Sequence, residues 1–328
     1  MSGIAITGSG SAVPGNFLDN QGLSELVETS DEWITTRTGI RQRRLATANE
    51  SVTTIGAAAS LKALEMAQIE AKDLDLILLA TSTPDDLFGS AAAIQAELGA
   101  TKAVAFDLTA ACSGFVFGLV TAAQYIRTGV FQNVLLIGAD ILSRWVDWQD
   151  RRTCILFGDG AGAAVLQANK EDRLLGFEIK SDGTLNSCLN LAYTPQTQEL
   201  TNGISISKGN FANVSMNGKE VYRFAVKRVP EVIDKALFRA NLPVDRVDWL
   251  LLHQANQRIL DAVAERLSIP PEKVISNVAN YGNTSAASIP IALDEAVREG
   301  KIKQQDTIAA SGFGAGLSWG AAIFQWGR

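Results

Sequence analysis

Histidine is almost missing from this chain of 328 residues: His253 stands alone. A His-rich metal centre is therefore excluded, and without any Cys-x-x-Cys spacing no structural zinc is expected. Cysteine is nearly as scarce. Cys112, Cys154 and Cys188 form an odd, sparse set, which argues against a disulfide framework and for a reducing, cytoplasmic setting. No apolar run approaches the roughly 18 residues of a membrane helix. The first basic residue is Arg37, so no charged leader of a secretory signal is expected. Positive charge is also short: 29 Lys and Arg against 35 Asp and Glu leave a net charge of −6, a poor balance for binding nucleic acid. What is plentiful is apolar surface. Hydrophobic residues make up 47% and charged residues 20%, as in a folded globular protein of one large or two ordinary domains.

Short β-rich runs alternate with longer helical stretches, which reads as α/β. Strands are expected at Ile4–Thr7, Leu76–Ala80, Val104–Leu108, Val134–Gly138 and Ala161–Gln167. The runs from Ser51 to Met66, Ser90 to Leu98 and Ser113 to Arg127 read as helices, with Ser51 a natural N-cap and Gly99 and Gly129 natural stops. Between Ser181 and Gly218, Asn, Thr, Ser and Gly dominate, and irregular loops with short strands are expected. The second half then resembles the first. Asp248 follows Asp75 by 173 residues, Val274 follows Val104 by 170, and Gly300 follows Gly129 by 171. Three similar offsets in the same order suggest an internal duplication, although recurring strand–helix units of any α/β chain would leave a similar trace. Residues after matched strands are natural site builders, because α/β sites lie at the carboxyl ends of strands.

Four features could carry chemistry. Cys112, in Ala110-Ala111-Cys112-Ser113-Gly114, lies between a strand and a helix, where the positive end of the helix dipole favours a nucleophilic thiolate; a buried structural cysteine is the other reading. His253 ends an apolar strand and opens His253-Gln254-Ala255-Asn256. Asn283, in Asn280-Tyr281-Gly282-Asn283, falls within two residues of the position matching Cys112. It can donate two amide hydrogen bonds without titrating, though Asn and Gly also serve ordinary turns. Gly312-Phe313-Gly314-Ala315-Gly316 could expose backbone N–H groups to an oxyanion. None of the glycine clusters completes a dinucleotide fingerprint, since Leu317, Val13 and Ala163 stand where the last glycine is needed.

Taken with Asp31-Glu32-Trp33-Ile34, Arg37-Thr38-Gly39-Ile40, Phe157-Gly158-Asp159-Gly160 and Trp319-Gly320, these segments make the chain resemble, along nearly its whole length, the β-ketoacyl-acyl-carrier-protein synthases III of the thiolase superfamily. The resemblance implies a five-layered αβαβα fold of two similar halves, residues 1–172 with the nucleophilic Cys and 173–328 with the His and Asn, and a homodimer. It implies an acyltransferase that moves acetyl or another short acyl group from CoA to Cys112. Decarboxylative condensation with malonyl-acyl-carrier protein would follow, initiating type II fatty acid synthesis. His253 and Asn283 would then stabilise the decarboxylating malonyl thioester, and the backbone N–H groups of Cys112 and Ala315 an oxyanion. Trp33, Arg37, Arg151 and Asn256 would hold CoA, Arg223 and Arg258 the acidic carrier protein, and Phe88 would line the acyl pocket from across the dimer. No metal or resident cofactor is implied. Arg152, Ala315 and Glu265 depart from the family's usual glycine, glycine and basic residue. A cysteine hydrolase and a non-catalytic acyl-binding module are the competing classes.

Overall fold

In the computed structural model, which describes residues 2–328, the alternating runs build two five-stranded sheets. The first half runs β1 (Gly3–Ala12), α1 (Val52–Ala67), β2 (Leu76–Ala80), α2 (Ala91–Leu98), β3 (Val104–Leu108), α3 (Gly114–Arg127), β4 (Asn133–Ile141) and β5 (Asp159–Asn169). The second half runs β6 (Leu174–Ser181), α4 (Gly218–Ala240), β7 (Trp249–Leu252), α5 (Gln257–Arg266), β8 (Val274–Ile275), α6 (Ser288–Arg298), β9 (Thr307–Gly314) and β10 (Ser318–Gln325). Strand order is β1-β5-β4-β2-β3 in one sheet and β6-β10-β9-β7-β8 in the other. The first two pairings of each are antiparallel and the last two parallel. Chance recurrence of strand–helix units would not reproduce one order and one set of directions through ten strands, so the fold is duplicated.

The layers follow from which faces are apolar. α3 and α6 are sandwiched between the sheets: Phe115, Leu119, Ile289 and Leu293 share one core with Leu78 and Leu136 on one side and Leu251 and Ile308 on the other. α1 and α2 cover the outer face of the first sheet through Ala59, Ala63 and Ile94. α4 and α5 cover the second through Val229, Ile233, Leu260 and Val263. The result is αβαβα, as in the thiolase fold. β2 is buried at every position, the condition of a strand covered on both sides, and each buried Leu or Ile there contributes about 1.5–3 kcal/mol. α1 begins where Ser51 suggests, with a capping box in which the Ser51 and Thr54 side chains and amides bond reciprocally.

Two expectations need correction. Residues 193–211 are not irregular: Tyr193–Thr201 and Ile204–Phe211 pair as an antiparallel hairpin. Nearly every residue of both strands is exposed, and apolar alternation is confined to Ile204-Ser205-Ile206-Ser207, yet Asn202-Gly203 is the turn dipeptide that announces such a hairpin. The match of Asn283 to Cys112 also shifts. Ala111 and Ser285, both non-glycine residues with positive φ (46° and 52°), are true counterparts, and α3 and α6 start three residues after each. Cys112 therefore corresponds to Ala286, with Asn283 three residues upstream. A short helix, Val278–Tyr281, inserted after β8 changes the spacing.

Candidate active site

Cys112 sits on a tight turn, Ala111–Ser113, between β3 and α3. Ser113 fastens the turn, its hydroxyl within hydrogen-bond reach of Ser318 Oγ (2.8 Å) and of the Ala110 carbonyl (2.6 Å). Ser318 also donates to the Ala315 carbonyl at 3.1 Å, which ties the turn to the glycine-rich loop after β9. That loop lies so close that a Cβ on Gly314 would stand 2.7 Å from the Cys112 nitrogen; only glycine fits.

The thiol is 6% exposed, and burial pushes it up to about 12, with the Ser285 hydroxyl pulling the other way and the Asp140 carboxylate adding to the rise. Burial thus works against the thiolate expected at a helix start, because a sulfur anion taken out of water loses its hydration.

His253 follows β7, its amide donating to the Ser311 carbonyl (2.8 Å). Its ring is buried, edge-on to Phe313 with centroids 5.3 Å apart. Nδ1 lies 2.7 Å from Ser288 Oγ, and that hydroxyl already accepts the Gln254 amide (3.3 Å). With the hydroxyl proton directed at Nδ1, the ring proton sits on Nε2. Burial lowers the imidazole from its usual 6.5 to about 3, so it is a neutral donor at physiological pH. Unfolded chains bind a proton here between those two values and the folded protein does not. Stability should therefore fall as pH drops from 6.5 toward 3, by about 1.4 kcal/mol per pH unit from this group. Urea titrations at stepped pH would read that slope, and His253→Gln should flatten it.

Asn283 is pinned on both backbone sides: its N–H donates to the Leu156 carbonyl (2.8 Å) and its carbonyl accepts the Gly158 amide (3.0 Å). The side-chain Oδ1 accepts the Ser285 amide at 2.9 Å. That bond fixes the carboxamide orientation and leaves Nδ2 as the donor end.

Cys112, His253, Asn283 and Phe313 line one cavity of about 320 Å³, which runs outward past Asn256, Tyr222, Arg258 and Arg37. Cys112 also borders a second, apolar cavity of about 460 Å³ walled by Leu142, Trp145, Leu189, Phe211 and Val214, with Ala315 beside the cysteine. The thiol therefore stands at the junction of a polar-mouthed passage and an apolar chamber.

Comparison with known proteins fits this geometry. Residues 106–183 match the family described as 3-oxoacyl-[acyl-carrier-protein (ACP)] synthase III, and residues 237–326 its C-terminal counterpart. The β-ketoacyl-[acyl-carrier-protein] synthase III of Trichormus variabilis is 76% identical over 326 residues, 99% of each chain. This chain belongs to the β-ketoacyl-[acyl-carrier-protein] synthase III family. The Synechocystis relative of the same name is 62% identical over 325 residues, 99% of this chain and 98% of that one. The crystal structure of the Aquifex aeolicus synthase III superposes with a TM-score of 0.90 at 44% identity, covering 99% of this chain and 100% of that one. Family membership makes the chain a condensing acyltransferase.

The residues expected to bind substrates are less uniformly placed. The Arg37 and Arg151 guanidiniums lie over the Trp33 ring, 4.4 and 5.3 Å from its centroid, forming one cationic–aromatic cluster. Arg37 borders the passage together with Arg258 and Arg152, whereas Arg151 does not. Arg151 instead donates to the Glu28 carbonyl (2.9 Å), and Arg152 pairs with Asp150. Asn256 borders the passage with both side-chain ends engaged, Nδ2 on the Arg37 carbonyl (3.0 Å) and Oδ1 on the Arg258 amide (2.9 Å); it caps α5. Arg258 stacks on Tyr222 at the mouth, whereas Arg223 is exposed and paired with Glu220. Phe88 is 99% exposed and does not border the apolar chamber of its own chain; the adjacent Leu87 does. Sequence reasoning missed Asp140, Ser285 and Ser288. An acid ending the apolar run of β4 was the available signal for Asp140; Ser is too common in turns to stand out.

Proposed function

We propose that the chain starts type II fatty acid synthesis, condensing acetyl or another short acyl group from CoA with malonyl-acyl-carrier protein. The observation that carries this reading is the junction: one buried thiol, an apolar chamber on one side, and two uncharged donors, His253 and Asn283, on the other.

In acylation, the Cys112 sulfur attacks the thioester carbonyl, CoA departs as its thiol, and the acyl chain enters the apolar chamber. Backbone N–H groups of Cys112 and Ala315 hold the oxyanion. Malonyl-acyl-carrier protein then presents its thioester oxygen to His253 Nε2 and Asn283 Nδ2. The bond to the carboxylate breaks, CO2 leaves, and its electron pair forms an enolate whose charge those donors stabilise without titrating. The carbanion attacks the acyl-Cys carbonyl, the C–S bond breaks as the β-ketoacyl product forms, and the departing Cys112 sulfur takes its proton from water. Release of CO2 supplies the carbanion, so no separate base is needed for that step, and no metal or resident cofactor enters.

The Trp33–Arg37–Arg151 cluster supports a CoA-binding mouth, and Arg258 with Arg223 an acidic partner. A homodimer is supported by the free edge of β3, where Val104 and Phe106 are exposed beside Phe88, an edge that a second copy would cover. Three free cysteines support a cytoplasmic setting. Incubation with labelled acetyl-CoA followed by peptide mapping should place the label on the peptide containing Cys112; label absent from it would reject covalent catalysis there.

A further inference from the structure

One pair of matched positions differs in kind between the two halves. Asp75 and Asp248 precede matched strands, and their amides donate to the Asn133 and Thr307 carbonyls in the same way. Counting on from them, Ala80 ends β2 where His253 follows β7. Gly114 and Ser288 open α3 and α6, each three residues after the matched Ala111 and Ser285. In the first half this pair carries no polar side chain, and a Cβ on Gly114 would stand 3.1 Å from the Ala80 Cβ. In the second half the same two places hold an imidazole and a hydroxyl, with Nδ1 2.7 Å from Oγ. Helix start packs on strand end in both halves, but only the second turns that contact into a hydrogen bond.

The bond has one direction. Ser288 Oγ accepts the Gln254 amide (3.3 Å). Gln254 is itself fixed, its Nε2 donating to the Leu252 (2.8 Å) and Ile275 (3.2 Å) carbonyls and its Oε1 accepting the Asn277 amide (3.0 Å). The Ser288 hydroxyl donates to no carbonyl among the described residues, so its proton goes to Nδ1. Both side chains are buried, and Ser288 is the ring's one side-chain hydrogen-bond partner among the described residues. Phe313, edge-on to the imidazole, offers no acceptor. Which ring nitrogen carries the proton is set by the bond the other makes, and here a single bond sets it.

We propose that Ser288 is the positioning residue that keeps the His253 proton on Nε2 and so maintains the donor that decarboxylation uses. It rests on the reading of His253 as a donor to the malonyl thioester. Ser288 borders neither the passage nor the apolar chamber, so it acts through the ring and touches no reacting atom. With the proton on Nδ1 instead, Nε2 would turn a lone pair toward the thioester oxygen. Negative charge gathering there as CO2 leaves would then be repelled rather than stabilised. Acylation of Cys112 does not call on the Nε2 proton, so the effect falls on condensation alone.

His253 is the only histidine in the chain, so isotopic labelling of histidine nitrogen in the full chain gives a single imidazole to observe by magnetic resonance. At neutral pH the wild-type ring should show a pyrrole-like Nε2 and a pyridine-like Nδ1. Ser288→Ala removes one oxygen and with it the donor. Both nitrogens should then move to intermediate shifts as the proton spreads over them. Condensation with malonyl-acyl-carrier protein should fall by about tenfold or more, in kcat rather than KM, while acetylation of Cys112 by acetyl-CoA keeps its wild-type rate. Ser288→Thr retains the hydroxyl and should restore shifts and rate together. A wild-type ring protonated on Nδ1, or a Ser288→Ala protein whose ring keeps one Nε2 proton or whose condensation is unchanged, would overturn the proposal. If His253→Ala condenses at the wild-type rate, the reading of His253 as a donor fails instead, and the nitrogen shifts still decide whether Ser288 holds the tautomer.

Discussion

His253→Ala is expected to leave Cys112 open to acetylation by acetyl-CoA while condensation with malonyl-acyl-carrier protein falls by about 10²–10³-fold, the usual cost of one oxyanion donor. Asn283→Ala should behave alike. The reason is the division of labour proposed above. Both residues are neutral donors whose other ends are occupied, His253 Nδ1 by Ser288 and Asn283 Oδ1 by Ser285. What remains, Nε2 and Nδ2, can only donate. Such groups add nothing to a ground-state thioester that water could not, but they stabilise the charge that appears when CO2 leaves. Because the two act on one oxygen, the double variant should lose less than the product of the single losses. Release of labelled CO2 and product formation, measured beside acetylation stoichiometry, would check this. Loss of acetylation in step with condensation would remove the division of roles, and unchanged product formation would remove the roles themselves.

Arg43→Ala is expected to destabilise the fold by at least about 3 kcal/mol. The guanidinium is fully buried and donates to the Leu18 carbonyl (3.0 Å), Asn20 Oδ1 (3.0 Å) and the Ile155 carbonyl (2.8 Å). Its cation is held by these neutral oxygens rather than by a bonded carboxylate, and desolvation lowers it to about 10. Alanine would leave two buried acceptors, Asn20 Oδ1 and the Ile155 carbonyl, unmet, each costing about 1–3 kcal/mol, beside a cavity the size of the lost side chain. The damage should reach the site as well. Ile155 leads into Leu156, Phe157 and Gly158, the segment whose backbone pins Asn283, and a Cβ on Gly158 would stand 3.3 Å from the Arg43 Cβ. Urea denaturation gives the first effect and condensation at temperatures below the lowered midpoint the second. A loss below about 1 kcal/mol would show that the loops repack around the hole.

Much of the site could be read along the chain because local chemistry marks it. Cys112 and His253 each follow an apolar run, Asn283 lies in a turn, and Gly314 and Ala315 in a glycine cluster. These positions depend on strand ends and tight turns, which short stretches of residues specify. The hairpin of residues 193–211 escaped because its strands are mostly exposed and alternate only over Ile204–Ser207, leaving Asn202-Gly203 as a signal outweighed by polar texture. Ser285 and Asp140 escaped for another reason. Their roles come from what surrounds them, and a serine in a turn or an acid after a strand has many ordinary uses.

The order of apolar runs, small-residue turns and helix caps determined by itself that this protein is an α/β duplication with a thiol, an imidazole and a carboxamide after matched strands. Whether those groups meet, and in what protonation state, only the tertiary structure decided. Packing two sheets around α3 and α6 brings together residues more than a hundred positions apart. The same packing excludes water, and the lost hydration raises the Cys112 thiol, keeps His253 neutral and pushes the Asp140 carboxyl upward. Desolvation is a property of the assembled interior, so no stretch of sequence carries it.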